Sequence, residues 1–319
     1  GLEGIASLID MSLVTCDMNG DGTTRYRMLE TIRAFGPEQL VACGEEPATR
    51  DRHARWCLAL ADRPWWDVPR VELVEWLGRL DPEQDNLRAS LGWLEQSQNA
   101  DEMVRLAGLL SHFWMVRSQR MEGAAWLERA LAVAATANTT PPELPYATYR
   151  ASSLQRMLGR DERANELAEM ALSQYRAGED MRGMGATLNL LGALARGRKA
   201  YDRARAYGEE ALVMWREVGD SSWIALALDY LALTLHWQGE NDRAEALLMD
   251  ALAIYQDTGD AWGLANVTNN LAYVAADRGD WQLAAARQLV SLDAGLESGI
   301  KEALFDILAQ RPELGFRLV

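Results

Sequence analysis

The chain has 319 residues, 49% of them hydrophobic, which is more than one small domain needs and suits two units or one long repeat array. Its net charge is −15, from 47 acidic residues against 32 lysines and arginines, so it will not condense unaided onto DNA or an anionic membrane. No window approaches about 18 uninterrupted apolar residues, which excludes a transmembrane helix.

The chain opens GLEGIASLID, with no initiator Met and no basic-then-apolar leader, and reads as a piece of a longer protein rather than a signal peptide. GLEGIASLIDMSLV predicts a short helix running into a strand. In VTCDMNGDGTTRYRMLE two β-rich runs flank Asn19-Gly20-Asp21-Gly22, a strong hairpin signal. ETIRAFGPEQLVACGEE, TRDRHARWCLALADR, VELVEWLGRL and PEQDNLRASLGWLEQ follow as helical patterns. Cys16, Cys43 and Cys57 are sparse and odd in number. They exclude a disulfide framework and suit a reducing cytoplasm.

The second half repeats itself. ANELAEMALSQYRAGED, ARAYGEEALVMWREVGD and AEALLMDALAIYQDTGD align with a step of 40 residues. Ala164, Ala204 and Ala244 keep that step; so do Ala171, Ala211 and Ala251, then Tyr175, Trp215 and Tyr255, then Asp180, Asp220 and Asp260. Gly279, Trp281 and Ala284 continue a further copy, and FWMVRSQRMEGAAWLERAL is an earlier one with a one-residue slip. Each unit holds two amphipathic helical patterns joined by a short polar turn. Small residues (Gly192, Ala232 and Ala272 on the first helix, Ala244 and Ala251 on the second) stand where two helices must approach closely. Gly at 219 and 259 suits a helix C-cap, and the aspartate after it the next N-cap.

The residues Leu231-Ala232, Gly239, Ala244 and Ala251-Leu252, with their equivalents one copy earlier, resemble the tetratricopeptide repeat. The standard unit is about 34 residues. The longer step here predicts about a turn and a half of extra helix. The resemblance implies an all-α, right-handed solenoid of helix pairs.

LIDMSLV, RYRMLETIRAF, RHARWCLALA, DNLRASLGWL and FWMVRSQRMEGAAWLERAL, in that order, resemble bacterial signal-transduction ATPases of the STAND class, often classed as LuxR- or SARP-type transcriptional regulators. That resemblance implies three regions. Residues 1–45 would be the end of a winged helix (helix, hairpin wing, exit helix), 46–102 a helical connector, and 103–319 the repeat array with a C-terminal capping helix. No G-x-x-x-x-G-K-[ST] loop occurs in the sequence, so the family's ATPase and DNA-binding activities transfer to no residue here.

Asp17-Met18-Asn19-Gly20-Asp21-Gly22 matches the first half of a calcium loop, but the position that must be a bidentate acid is Met28. His53 and Cys57 share a helical face at a metal-compatible spacing, without further ligands to complete a zinc site. Trp65-Trp66 marks a turn in the connector, and the pair reads as a plug in the seam between packed units or as an anchor for a partner. No metal, cofactor or catalytic set is expected.

In tetratricopeptide arrays the first helix of each pair lines the inner groove. Three residues before the small position stand Tyr149, Asn189, Asp229 and Asn269; four after it stand Arg156, Arg196 and His236, with Trp237 and Tyr273 adjacent. These nine residues are the candidate groove, suited to a protein, a peptide or a small effector with an anionic end. The reading is a non-enzymatic, cytoplasmic sensor or interaction arm of a multidomain regulator, with no membrane and no direct nucleic-acid contact. A freestanding repeat scaffold and the sensor of a defence-type STAND ATPase are the alternatives.

Overall fold

The computed structural model describes residues 2–18, 24–28, 30–62, 70–138 and 140–297. They fall into two compact units, Gly1–Leu106 and Ala107–Val319. The Asn19–Gly22 turn and the Trp65-Trp66 pair lie outside the described residues.

The first unit begins with helix α1 (Leu2–Asp10), then strands β1 (Val14–Met18) and β2 (Thr24–Met28). The strands pair antiparallel, with Val14 opposite Met28 and Met18 opposite Thr24. Helices α2 (Glu30–Cys43), α3 (Glu46–Ala61), α4 (Arg70–Leu80) and α5 (Gln84–Gln96) follow, with a single 3-10 turn at Asp81–Glu83. Ala54, Cys57, Leu58 and Ala61 of α3 are buried, as are Leu87, Ser90, Leu91 and Leu94 of α5. Both sets follow the spacing of one helical face. Arg25 of β2 donates to Glu83 at 2.7 Å, tying the hairpin to the 3-10 turn. Trp93 of α5 donates to Asp51 of α3 at 2.8 Å.

Helix α6 (Ala100–Val116) spans the division between the units. The second unit continues with α7 (Arg120–Thr136), α8 (Leu144–Met157), α9 (Asp161–Ala177), α10 (Met181–Gly197) and α11 (Tyr201–Val218). It ends, among the described residues, with α12 (Ser221–Trp237), α13 (Asn241–Thr258), α14 (Ala261–Asp277) and α15 (Trp281–Glu297). No strand follows β2 among the described residues. The pairs α8/α9, α10/α11, α12/α13 and α14/α15 repeat as a tetratricopeptide-like solenoid. First helices also touch first helices, α8 with α10, α10 with α12 and α12 with α14. The helices from α10 to α13 run 17 or 18 residues each, so the extra length of the repeat is shared by both members of a pair.

The small residues sit where the sequence puts them. Ala164, Ala171, Ala204, Ala211, Ala244 and Ala251 are buried, and so are Ala232 and Ala272. A β-carbon on Gly192 would stand 3.4 Å from the Ala204 carbonyl oxygen, so α10 and α11 cross nearly backbone to backbone.

The corners between pairs are built from two local devices. Asp180, Asp220 and Asp260 cap the following helices, accepting from the backbone N–H of Gly183, Trp223 and Gly263 at 2.9, 3.3 and 3.0 Å. The residue before each aspartate is left-handed: Glu179 at φ 55°, Gly219 at 75° and Gly259 at 66°. The turn inside each pair has the same requirement, met by Gly159, Lys199, Gly239 and Gly279. In both columns one copy places a side chain where the others have glycine.

Candidate functional site

The helices α8, α10, α12 and α14 carry the candidate groove residues. Their first column is buried throughout: Tyr149, Asn189, Asp229 and Asn269. These side chains are set into the packing between first helices, where each polar atom needs a partner. Asp229 Oδ1 accepts from Asn270 Nδ2 at 2.7 Å, linking α12 to α14. Burial pushes the Asp229 carboxyl up from 3.8 to about 6, while Asn270 and the charge of Arg196 pull it back. Asn269 Nδ2 donates to the Tyr273 hydroxyl at 3.0 Å. Asn189 differs, because neither its amide nitrogen nor its amide oxygen has a partner among the described residues.

The second column is mixed. Arg156 is exposed. Arg196 donates to the Tyr230 carbonyl at 3.3 Å and lies 5.7 Å from the centre of the Tyr230 ring. Burial lowers the pKa of this guanidinium, and Tyr230 and Asp229 offset part of that. His236 is buried, its Nδ1 at 2.8 Å from Asn241 Oδ1 and its Nε2 at 3.3 Å from Asp277 Oδ2. Both ring nitrogens are thus engaged across α12, α13 and α14, and the imidazole fixes that corner. Trp237 beside it is half exposed and supplies apolar area. Tyr273 is buried.

Sequence reasoning missed the next position along each first helix. Arg150, Leu190, Tyr230 and Asn270 also keep the step of 40, and three of them are polar. Arg150 is buried and donates to Ser111 at 2.7 Å. Burial and the Arg150 charge push the neighbouring His112 down to about 3, so its ring is neutral near pH 7. Burial pushes the Tyr230 phenol up, and the positive charges of Arg156 and Arg196 offset part of that. The signal was available, since a polar residue recurring inside an apolar helix one place from a polar column asks for a partner.

Elsewhere, Cys57 Sγ is 4.0 Å from His53 Nε2, and Ser90 Oγ lies 3.1 Å from that sulfur and 3.2 Å from His53 Nδ1. Burial raises the Cys57 thiol, so it stays protonated between α3 and α5. At the hairpin Asp17 pairs with Arg27 at 3.3 Å. No helix of the described residues is long and apolar enough to cross a membrane.

The tetratricopeptide repeat family profile matches residues 183–257. A Mycobacterium tuberculosis protein provisionally named an HTH-type transcriptional regulator is 34% identical over 131 residues, which is 41% of this chain and 14% of the relative. The match therefore spans a small part of that relative's length. Among solved structures, a signal transduction ATPase with numerous domains from Pyrococcus horikoshii, which carries a tetratricopeptide repeat sensor, aligns with TM-score 0.56 and 16% identity, over 80% of this chain and 38% of that one. NprR in complex with its cognate peptide NprX aligns with TM-score 0.57 and 15% identity, over 79% of this chain and 75% of that one. At these identities the likeness is one of fold.

Proposed function

We propose that this chain is the sensor arm of a multidomain bacterial signalling or transcriptional regulator, and that it binds a peptide, protein or small effector on the face formed by α8, α10, α12 and α14. The carrying observation is a buried, partly unsatisfied set of polar groups at one repeat step on that face, beside the half-exposed Trp237. A face built only to pack would be apolar there. The similarity to a STAND protein with a repeat sensor and to a peptide-bound repeat protein supports the reading. In it, residues 1–45 are the end of a winged helix and 46–102 a connector, the work is cytoplasmic and non-enzymatic, and the array neither contacts nucleic acid nor meets a membrane. The fold itself decides neither for nor against catalysis. Ligand occupancy shifts the regulator only if it favours one arrangement of the array over another.

The test starts from native mass spectrometry of the full-length protein purified from its own cells. A retained molecule is then titrated against the Arg196→Ala, Trp237→Ala double variant. Its affinity is expected to fall at least about tenfold, or 1.4 kcal/mol, with the melting curve unchanged. Unchanged binding, together with its loss on charge reversal along α9, α11 and α13, overturns the assignment and moves recognition to the second helices.

A further inference from the structure

We propose that the outer side of α15 is a self-association surface, on which a second copy of this chain docks its own α15 antiparallel, about a two-fold axis between Leu289 and Val290.

The last described second helix departs from its predecessors at four positions. Counted by the step of 40, α11 carries Arg203, Glu209, Glu210 and Arg216 there, and α13 carries Arg243, Met249, Asp250 and Gln256. In α15 the same positions hold Leu283, Leu289, Val290 and Leu296, between 39% and 65% exposed. The earlier residues are exposed as well, although α12 packs against α11 and α14 against α13. The ordinary neighbours of a second helix therefore leave this side open, and on α15 it is distinct from the side where Gln288, Ser291 and Ala294 are buried. Earlier in the array the open side is tied sideways by ion pairs between successive second helices, Glu169 with Arg203 at 3.6 Å and Arg176 with Glu210 at 2.7 Å. Two steps on, those pairs of positions read Met249 with Leu283 and Gln256 with Val290. Leu289 and Leu296 take the places of Glu169 and Arg176, which reach toward the following second helix. Among the described residues no helix follows α15.

The pattern itself selects a second copy as the occupant. Leu283 and Leu296 stand equally far from the point between Leu289 and Val290, so antiparallel pairing of two identical helices sets Leu283 against the partner's Leu296 and Leu289 against the partner's Val290. Every apolar side chain of the stripe then meets an apolar one. Asp293, in the middle of the stripe, meets Ala286 rather than a second aspartate. At 100° per residue the four side chains fall within about 140° of one another, one continuous face. Such a contact is isologous and closes on itself. The four residues offer roughly 400 Å² per copy. The pair then buries about 800 Å², less than the ~1,200 Å² of a stable interface. The dimer is therefore weak, with a dissociation constant on the order of 10–100 μM. Each copy carries a net charge of −15, so the two repel and salt strengthens the association.

Sedimentation equilibrium of the whole chain, across the micromolar range and at low and high salt, tests this. A reversible monomer–dimer equilibrium is expected. Leu289→Glu with Val290→Asp introduces the residue types of the earlier copies. It should weaken the dimer at least about thirtyfold and leave the melting curve of the dilute protein unchanged. Leu283→Lys and Leu296→Glu should each weaken it, and together restore it, because the two-fold axis brings the new charges together twice. Asp293→Ala should tighten it. A chain that stays monomeric throughout, or a dimer indifferent to the Leu289→Glu, Val290→Asp pair, overturns the proposal. So does a monomer whose melting temperature falls on that change, since the stripe would then be packed within its own chain. Failure of the combined charges to restore the dimer overturns the antiparallel register, and association that weakens with salt overturns the apolar contact.

Discussion

The ring of Tyr255 lies directly against Gly263, so close that a β-carbon on that glycine would fall 2.2 Å from the ring. Tyr175 makes the same approach to Gly183 two corners earlier, also at 2.2 Å. Between them, Trp215 meets Trp223 instead, with ring centres 4.6 Å apart and planes 12° from parallel. The aromatic ending each second helix thus folds over the aspartate corner onto the third residue of the next helix. Glycine or a stacked indole both satisfy it.

Gly263→Ala is therefore expected to destabilise the repeat unit. Alanine gains up to about 1 kcal/mol in helix propensity, but the buried ring must move, and overpacking costs roughly 1–3 kcal/mol. The net loss should lower Tm by a few degrees. A melting temperature at or above wild type would show that the ring shifts freely.

Ala244 is fully buried where α12 and α13 cross. Ala244→Leu should cost roughly 1–3 kcal/mol by forcing that crossing apart. Urea denaturation of variant and wild type, with equal slopes, measures it; unchanged midpoints would refute the close crossing.

Glu179 and Lys199 occupy left-handed positions, at φ 55° and 60°, that glycine fills in the neighbouring copies. A β-carbon there costs about 1–2 kcal/mol, and the greater freedom of an unfolded glycine returns part of it. Glu179→Gly and Lys199→Gly should each raise stability by about 0.5–1 kcal/mol. Thermal melts of the single and double variants check this, and the two gains should add, since the turns share no partners.

Asp229 ties pH to stability. Its carboxyl holds its proton up to about pH 6 in the fold and to about 3.8 when unfolded. Between those values the folded state binds more protons, so this group's contribution falls as pH rises through the window. Above it the buried charge costs on the order of 2–3 kcal/mol. Asp229→Asn keeps an oxygen for Asn270 and should be the more stable protein at pH 7. The advantage should vanish near pH 4. A difference independent of pH would mean that Asp229 is not titrating in that window.

The period, the capping aspartates and the buried alanines were legible because each is a local rule repeated at a fixed step. A small residue at a crossing or a cap at a corner needs no knowledge of the rest of the molecule. The candidate groove was legible as columns and not as surroundings. Spacing put Tyr149, Asn189, Asp229 and Asn269 on one face, but their burial depends on first helices packing against first helices two elements away. His236 shows the limit. Its position in the column was readable, while its engagement by Asn241 and Asp277 joins three helices and could not be. Tyr230, whose ring and carbonyl hold Arg196, lay one place off the column.

The corner devices are self-contained: a left-handed residue, an aspartate and the N–H three residues on, all within five positions of chain. Nothing in them refers to which copy they belong to. A stretch of 40 residues could therefore be gained or lost by recombination at any corner without leaving a broken joint. The array is in that sense a set of interchangeable parts, whose number of copies can change while every joint stays intact.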